Sequence, residues 1–156
     1  TELIGADSLE EMLGSCMRKE SGIVGARLYD GEKRIAHAGV IIGLHGLAGA
    51  AFAGFPKTEE DVYSRILSRQ CYSAVTGACM LVKRSVFEAA GGFSEDFGLA
   101  FWDLDFCLRV GALGKRVIYE PYGEFMRTGR SFRRRQRKDW RNFIRPLLFL
   151  RSAGRS

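Results

Sequence analysis

The hydrophobic and polar positions between residues 71 and 109 predict a strand, a short helix, a loop and a second helix. Residues 73–82 are apolar with several small side chains, as is typical of a buried strand. Ser85 and Glu88 have the spacing of a capping box, which predicts a helix that begins at Val86. Two glycines are expected to end it about two turns later, because glycine accepts the left-handed backbone of a helix exit. They are Gly91 and Gly92.

A loop over residues 93–101 leads into the second predicted helix, which begins near Asp103. Its apolar face is expected to be formed by Leu104, Cys107 and Leu108. The positive end of the helix dipole favours an ionised carboxylate on Asp103, and such a group at a loop–helix junction is suited to act as a general base. Aspartate is also a common helix cap, so both interpretations remain open. Asp105 faces another direction, and we expect it to pair with Arg109 one turn later.

The chain before this stretch predicts a helix and a hairpin. Capping-box spacing at residues 8–11 begins a surface helix. Its apolar stripe is expected to comprise Leu9, Met12, Leu13 and Met17. Residues 22–29 and 34–43 predict two strands joined by a turn at residues 30–31. His37, in the second strand, is interpreted as a hydrogen-bonded structural group, with a role as a ligand as the alternative.

Other segments give weaker signals. Residues 44–55, rich in glycine and alanine, predict a flexible loop that folds over a site. Arg65 and Arg69 are expected on one face of a short helix, either solvated or in contact with phosphate or a sugar acid. A strand over residues 115–119 is expected to end at Pro121.

The composition indicates how large the folded domain is and in which cellular compartment the protein is expected. The chain has 156 residues, enough for one domain, and 46% of them are hydrophobic, so a sizeable core is expected. No apolar run reaches the length of about 18 residues that a membrane span needs. No signal peptide is expected at the acidic, amphipathic start. The four cysteines lack metal-finger spacing, and reduced thiols are expected, as in a cytoplasmic protein.

The order of these segments resembles the second half of the GT-A catalytic domain of family 2 glycosyltransferases. The resemblance rests on GIVGARLYDGEKRIAHAGVIIG, SAVTGACMLVKRSVFEAAGGFSEDF and AFWDLDFCLRVGALGKRVIYEPYGEF, and it covers roughly residues 8–126. It implies an α/β fold, namely part of a nucleotide-diphospho-sugar transferase-like domain. A mixed sheet of about four strands with flanking helices is expected.

The resemblance also implies an activity: inverting transfer of a sugar from a nucleotide-sugar donor to a hydroxyl of a glycan or lipid-linked acceptor, in cell-envelope polysaccharide assembly. Asp103 takes the position of the base that deprotonates the acceptor, and Thr76 and Gly77 take the floor of the sugar site. Glu95 and Trp102 are expected to contact the acceptor. The family usually has Glu, Asp or Asn where Trp102 stands, and Trp102 either stacks on a sugar ring or fills space beside the helix start.

The family also uses a divalent metal, Mg²⁺ or Mn²⁺, held by an Asp-x-Asp motif and a histidine. The Asp-x-Asp of this chain, at residues 103–105, matches the base motif instead, so the chain is expected to be a fragment without the nucleotide-binding half. Where the family has histidines, residues 125–130 read FMRTGR, and arginine offers only hydrogen-bond donors. No metal ligand is therefore assigned. Arg127 either neutralises the diphosphate directly, in place of the metal, or the segment no longer takes part in binding the diphosphate.

These patterns predict that the chain has two parts. Residues 1–126 are expected to form the transferase-like half domain, and residues 127–156 a basic amphipathic segment. The candidates for binding phosphate or an anionic membrane surface are Arg127, Arg130, Arg133 and Arg134. A terminal helix docked on its own domain, with its arginines in solvent, is the alternative. Nucleic-acid binding rests on the arginine run alone, so no nucleic-acid partner is expected.

Two functions from different classes remain open on the sequence alone. One is the glycosyltransferase, cytoplasmic or peripheral at the inner face of the membrane. The other is a catalytically inactive module that binds a membrane surface or a partner through the basic tail. Because the missing half would cover one sheet edge, the chain alone is expected either to form a homodimer through that edge or to expose an apolar patch.

Overall fold

The computed structural model describes residues 1–44, 48–56, 64–97 and 101–128 of the chain. These residues form an α/β fold in which helices flank a curled mixed sheet of six strands, beside a separate two-stranded sheet. The expected fold class is thus confirmed. The larger sheet has more strands than expected, because several are only two or three residues long and leave little pattern in the sequence.

Strands and helices follow one another in this order: β1 (Glu2–Leu3), α1 (Ser8–Met17), β2 (Ser21–Tyr29), β3 (Ile35–His37), β4 (Val40–Ile42), β5 (Ala48–Ala50), β6 (Gln70–Cys71), β7 (Met80–Val82), α2 (Arg84–Ala89), α3 (Trp102–Ala112) and β8 (Arg116–Met126). A short 3-10 helix, Glu95–Phe97, precedes α3. Strands β2 and β8 lie parallel at the centre of the larger sheet. Strands β3 and β7 pair antiparallel with β2, and β1 and β6 pair antiparallel with β8. The expected hairpin is therefore confirmed for β2 and β3, but the second strand predicted over residues 34–43 divides into β3 and β4, and β4 pairs with β5 in the separate sheet.

Strand β2 is buried along its whole length and contributes to a core on each face of the sheet. On one face, Val24 and Leu28 pack with Met12 of α1. On the other, Ile23 packs with Phe106 of α3. Successive side chains of a strand point to opposite faces, so a strand buried on both sides needs the nearly continuous apolar run seen here. This packing fixes α3 against the sheet.

Helix α1 confirms the helix expected near the start of the chain, but its buried face differs from the predicted stripe. The buried residues are Ser8, Met12, Ser15 and Cys16. The remaining members of the stripe are exposed: Leu9 by 59%, Leu13 by 53% and Met17 by 70%. The capping box is also wrong, because the hydroxyl of Ser8 bonds the backbone of Glu124 in β8 instead. Small polar side chains let α1 approach β8, which apolar periodicity does not reveal.

Strand β8 continues beyond Pro121, where the sequence predicted its end. Ala26 of β2 pairs with Glu120, but the next residue, Arg27, pairs with Glu124. The three residues between Glu120 and Glu124 therefore bulge out of the ladder. Proline is tolerated at a bulge, because its missing N–H is not needed there for pairing.

Three further predictions differ in detail. The apolar run over residues 73–82 is not one strand, since only its last three residues form β7. The loop expected over residues 44–55 includes β5. Helix α2 begins at Arg84 without a side-chain cap, although Gly91 and Gly92 follow its end with φ of 79° and 70°, as expected.

A buried polar cluster ties α1 to β8. The fully buried carboxylate of Glu120 accepts hydrogen bonds from the hydroxyl of Ser15, from Nε of Arg69 at 2.6 Å and from the N–H of Tyr122 at 3.3 Å. Buried charges are tolerated when they are paired and hydrogen-bonded in this way. Arg69 therefore forms an ion pair with Glu120 while its side chain stays 34% exposed, so it is partly solvated as expected but is also engaged by a carboxylate, which the sequence did not predict.

Replacing Glu120 by alanine is expected to lower the free energy of unfolding by about 1–3 kcal/mol, because the buried hydroxyl of Ser15 loses its acceptor. Urea unfolding of wild type and variant measures the difference. The matched control is Glu88→Ala, which removes an exposed ion pair with Arg84 and is expected to cost less than about 1 kcal/mol. Equal losses for the two substitutions would contradict the role assigned to the buried cluster.

Candidate functional site

Helix α3 places Asp103 in its first turn, as the sequence predicts. The half-buried carboxylate accepts the N–H of Leu104 through Oδ1 and the N–H of Gly77 through Oδ2, both at 2.9 Å. Each carboxylate oxygen can accept a further hydrogen bond. Asp103 is therefore neither packed into the core nor turned away from the fold. The expected pair of Asp105 and Arg109 is confirmed at 2.7 Å.

Three consecutive backbone amides lead up to this carboxylate, and each donates to a different side chain. The N–H of Val75 donates to Sγ of Cys107 at 3.5 Å, and the N–H of Thr76 donates to Nε2 of His37 at 3.2 Å. The N–H of Gly77 donates to Asp103. The turn is thus held from two sides, by α3 and by β3. We call residues 75–77 the amide turn.

Trp102 covers the amide turn. A Cβ on Gly77 would lie 2.0 Å from the nearest atom of the Trp102 ring, so only glycine fits beneath the indole. The ring also packs edge-on against Phe93, with 4.7 Å between centroids. The preceding residue, Phe101, has a left-handed backbone with φ of 66°, a conformation that costs a non-glycine residue roughly 1–3 kcal/mol. Strain of this kind often marks functional sites.

His37 supports the turn from beneath. Its side chain is 3% exposed, and Nε2 accepts N–H groups from both Thr76 and Gly39, each at 3.2 Å. Burial, together with the charge of Arg127, lowers the pKa of His37 to about 3. The imidazole is therefore neutral at cellular pH, and its proton resides on Nδ1 because Nε2 acts as the acceptor. The interpretation of His37 as a hydrogen-bonded structural group agrees with these contacts.

The buried thiol of Cys107 forms weak hydrogen bonds with the backbone of the amide turn. Its Sγ also donates to the carbonyl oxygen of Val75 at 3.7 Å. Burial raises the pKa of Cys107 to about 12. A thiol is nucleophilic only as its thiolate, so Cys107 stays protonated and unreactive.

The remaining predicted residues form no hydrogen bond to the carboxylate among the described residues, or they lie outside the described part. Glu95 is exposed on the 3-10 helix, and no hydrogen bond between the described residues joins it to Asp103. Arg127 donates its N–H to the carbonyl oxygen of Tyr29 at 2.8 Å, and its charge acts on His37. Three predicted anion-binding residues lie outside the described residues: Arg130, Arg133 and Arg134. Within the described ranges, no helix is long and apolar enough to cross a membrane.

The ends of the described chain meet beside the amide turn. The hydroxyl of Thr1 donates to the carbonyl oxygen of Ala78 at 3.2 Å, and its backbone nitrogen lies 3.4 Å from Oγ1 of Thr128. Arg127, which precedes Thr128 in the chain, offers only hydrogen-bond donors and cannot ligate a divalent metal. Among residues 1–44, 48–56, 64–97 and 101–128, no cluster of three or more His, Cys, Asp or Glu is arranged to hold a metal ion.

Sequence reasoning missed a second polar region near the start of α1. An open cavity of about 430 Å³ is lined there by Tyr122 and by the ion-paired Arg27 and Glu124, among others. None of the residues around Asp103 lines this cavity. The buried Arg27 interrupts the apolar pattern of β2, and that interruption was the available signal.

An α/β fold with a mixed sheet, and a carboxylate at the start of a helix beside a glycine turn, is consistent with part of a GT-A-like domain. No protein-family model matches the chain. The chain is 44% identical over 124 residues, 79% of its length, to the "Uncharacterized protein y4gI" of Sinorhizobium fredii. It is 34% identical over 118 residues, 75% of its length, to the "O-antigen biosynthesis protein RfbC" of Myxococcus xanthus.

A third similarity is to the N-acetylglucosaminyl-diphospho-decaprenol L-rhamnosyltransferase of Mycobacterium tuberculosis, at 31% identity over 85 residues, or 54% of the chain. The chain spans only 14%, 9% and 28% of the lengths of these three relatives. The similarity is therefore to a part of each relative, and one of the three is named for sugar transfer.

Proposed function

We propose that the chain is the acceptor-side part of a glycosyltransferase of cell-envelope polysaccharide assembly. The observation that carries the proposal is the half-buried carboxylate of Asp103, which stands at a helix start and is fixed by the N–H of Gly77 under the ring of Trp102. The names of two relatives, an O-antigen biosynthesis protein and a rhamnosyltransferase, support the class of reaction. A lipid-linked or glycan acceptor fits both names.

The proposed reaction is an inverting displacement at the anomeric carbon of a nucleotide sugar. The acceptor oxygen attacks that carbon from the side opposite the diphosphate and forms the new glycosidic bond. The bond from the carbon to the diphosphate oxygen breaks, and the nucleoside diphosphate leaves with the electron pair. Asp103 takes the proton of the acceptor hydroxyl. A general base must lie within about 2.6–3.2 Å of the oxygen it deprotonates, and the open lone pairs of Asp103 permit such a contact.

The surrounding residues orient the acceptor in this proposal. The indole of Trp102 offers an apolar face on which a sugar ring stacks. Thr76 and Gly77 are proposed to form the floor of the sugar site, with their N–H groups held by His37 and Asp103. Glu95 is proposed as an outer contact for acceptor hydroxyls. Arg127 is proposed to face the diphosphate, where its guanidinium would offset negative charge.

No described residue is assigned as a ligand of the divalent metal that the resemblance implies. The proposed reaction is written without that metal. Binding to a membrane surface would involve the basic segment beyond the described residues, and it stays a prediction. For the donor, the proposal names only the class of molecule, a nucleotide sugar, and neither the sugar nor the nucleotide.

The test of the proposed function uses the full-length protein with membrane-derived acceptor lipids and a panel of nucleotide sugars. Release of nucleoside diphosphate, measured by a coupled assay, is expected with one donor and to depend on the acceptor. The anomeric configuration of the product, read by NMR, is expected to be opposite to that of the donor. A product with retained configuration, or no release with any donor, would overturn the proposal.

A further inference from the structure

The amide turn depends on a histidine that lies far away in the sequence. His37 is 39 residues from Thr76, and it belongs to β3, whereas Asp103 belongs to α3. Its Nε2 atom is the acceptor for the N–H of Thr76, one peptide unit before the N–H that Asp103 accepts. Each peptide unit is planar, so once the N–H of Thr76 is fixed, only the φ and ψ of Thr76 remain to set the direction of the N–H of Gly77.

We propose that His37 is a positioning residue for Asp103: through the N–H of Thr76 it holds the N–H of Gly77 toward Oδ2 of Asp103. The role given to His37 rests on the proposed function of Asp103 as the base. His37 itself touches no substrate. It acts through the turn.

The chemistry of the ring suits this role. An imidazole that stays neutral throughout the cellular pH range keeps Nε2 available as an acceptor, and the low pKa of His37 meets that condition. The N–H of Gly39 shares the same nitrogen at 3.2 Å, so the ring is anchored to its own strand while it reaches across to the turn. Burial at 3% exposure keeps water from replacing it as the partner of Thr76.

Two substitutions of one chemical type separate positioning from general stabilisation. In His37→Gln the side-chain amide oxygen reaches about as far as Nε2, whereas in His37→Asn the chain is one methylene shorter and the oxygen falls short. Amide hydrogen exchange in the 156-residue chain, followed by NMR, is the readout. In the Asn variant, exchange of the Thr76 and Gly77 amides is expected to rise at least about tenfold, while Val24 and Ile118 in the central strands stay unchanged.

In the Gln variant, exchange of both turn amides is expected to stay within about threefold of wild type. Equal acceleration of all amides in the Asn variant would overturn the proposal, because His37 would then only stabilise the fold. Acceleration at Thr76 without any change at Gly77 would also overturn it. Should the Asn variant not fold, the Gln variant still decides, since any acceleration at Thr76 that leaves Gly77 unchanged in that variant contradicts positioning.

Kinetics in the full-length protein complete the test. The Asn variant is expected to lower kcat at least about tenfold with an unchanged KM for the donor, and the Gln variant to restore it. A rise in donor KM with unchanged kcat would contradict positioning of the base. The exchange experiment needs no activity, so it decides the link between His37 and Gly77 even if Asp103 proves not to be the base.

Discussion

In the full-length protein, Asp103→Asn is expected to lower the rate of sugar transfer at least about 100-fold, because a positioned general base contributes roughly 10²–10⁴ in rate. Asparagine keeps the size of the side chain but has no carboxylate to take the proton. It also offers one accepting oxygen for two N–H groups, those of Leu104 and Gly77. Release of nucleoside diphosphate measures the rate, and calorimetry with the donor measures binding, which is expected to remain close to wild type.

Asp105→Asn is the matched control, because it makes the same chemical change two residues away on α3. Asp105 pairs with the partly exposed Arg109, and its loss is expected to change the transfer rate by less than about threefold. Thermal unfolding of both variants checks that each is folded. Retention of more than a tenth of the wild-type rate by Asp103→Asn would rule out this carboxylate as the base.

Gly77→Ala is expected to have the second largest effect, through shape alone. The added Cβ would lie 2.0 Å and 2.4 Å from atoms of the Trp102 ring, which is packed against Phe93. Relief of the clash must shift the indole or the turn, and overpacking of this kind costs typically 1–3 kcal/mol, so we expect a loss of about that size in the free energy of unfolding. Because the shift separates Gly77 from Asp103, we also expect transfer to fall at least about tenfold.

Two comparisons isolate the clash. Gly111→Ala, within α3, adds a Cβ that meets no atom within 4 Å and is expected to be neutral or stabilising by up to about 1 kcal/mol. In a Trp102→Ala background, the cost of Gly77→Ala is expected to fall by at least about 1 kcal/mol, which a double-mutant cycle of urea unfolding measures. An unchanged cost in that background would show that Trp102 does not constrain Gly77.

The sequence predicts elements well where one physical signal dominates. The apolar run of β2 predicts a buried strand, because a strand covered on both faces has no polar side. Gly91 and Gly92 mark the exit of α2, because their φ values favour glycine. The pair of Asp105 and Arg109 follows from helical spacing alone.

Prediction fails where tertiary contacts override a local pattern. Leu9, Leu13 and Met17 of the predicted stripe on α1 face outward, because Ser8, which looks like a cap in the sequence, and Ser15 pack against β8 and its buried carboxylate. Pro121 does not end β8 because a bulge accommodates it. Neither a serine that bonds a distant strand nor a register shift between parallel strands leaves a signal in neighbouring residues.

The candidate site, too, has features that the sequence predicts and features that only the structure shows. Asp103 is predictable from its place at a helix start, and its association with Thr76 and Gly77 comes from the resemblance. The direct contact of Asp103 with Gly77, across 26 residues, appears only in the structure. The acceptor roles of His37 and Cys107 toward the turn carry no spacing signal, because each joins elements that meet only after folding.

The most direct test of the proposed site is a structure of the full-length protein with a bound acceptor. The reacting hydroxyl oxygen is expected about 2.6–3.2 Å from a carboxylate oxygen of Asp103, with the neighbouring sugar ring or lipid-linked sugar against Trp102. An acceptor bound with its hydroxyl far from Asp103, while that carboxylate contacts only Gly77 and Leu104, would contradict the assignment of this residue as the base.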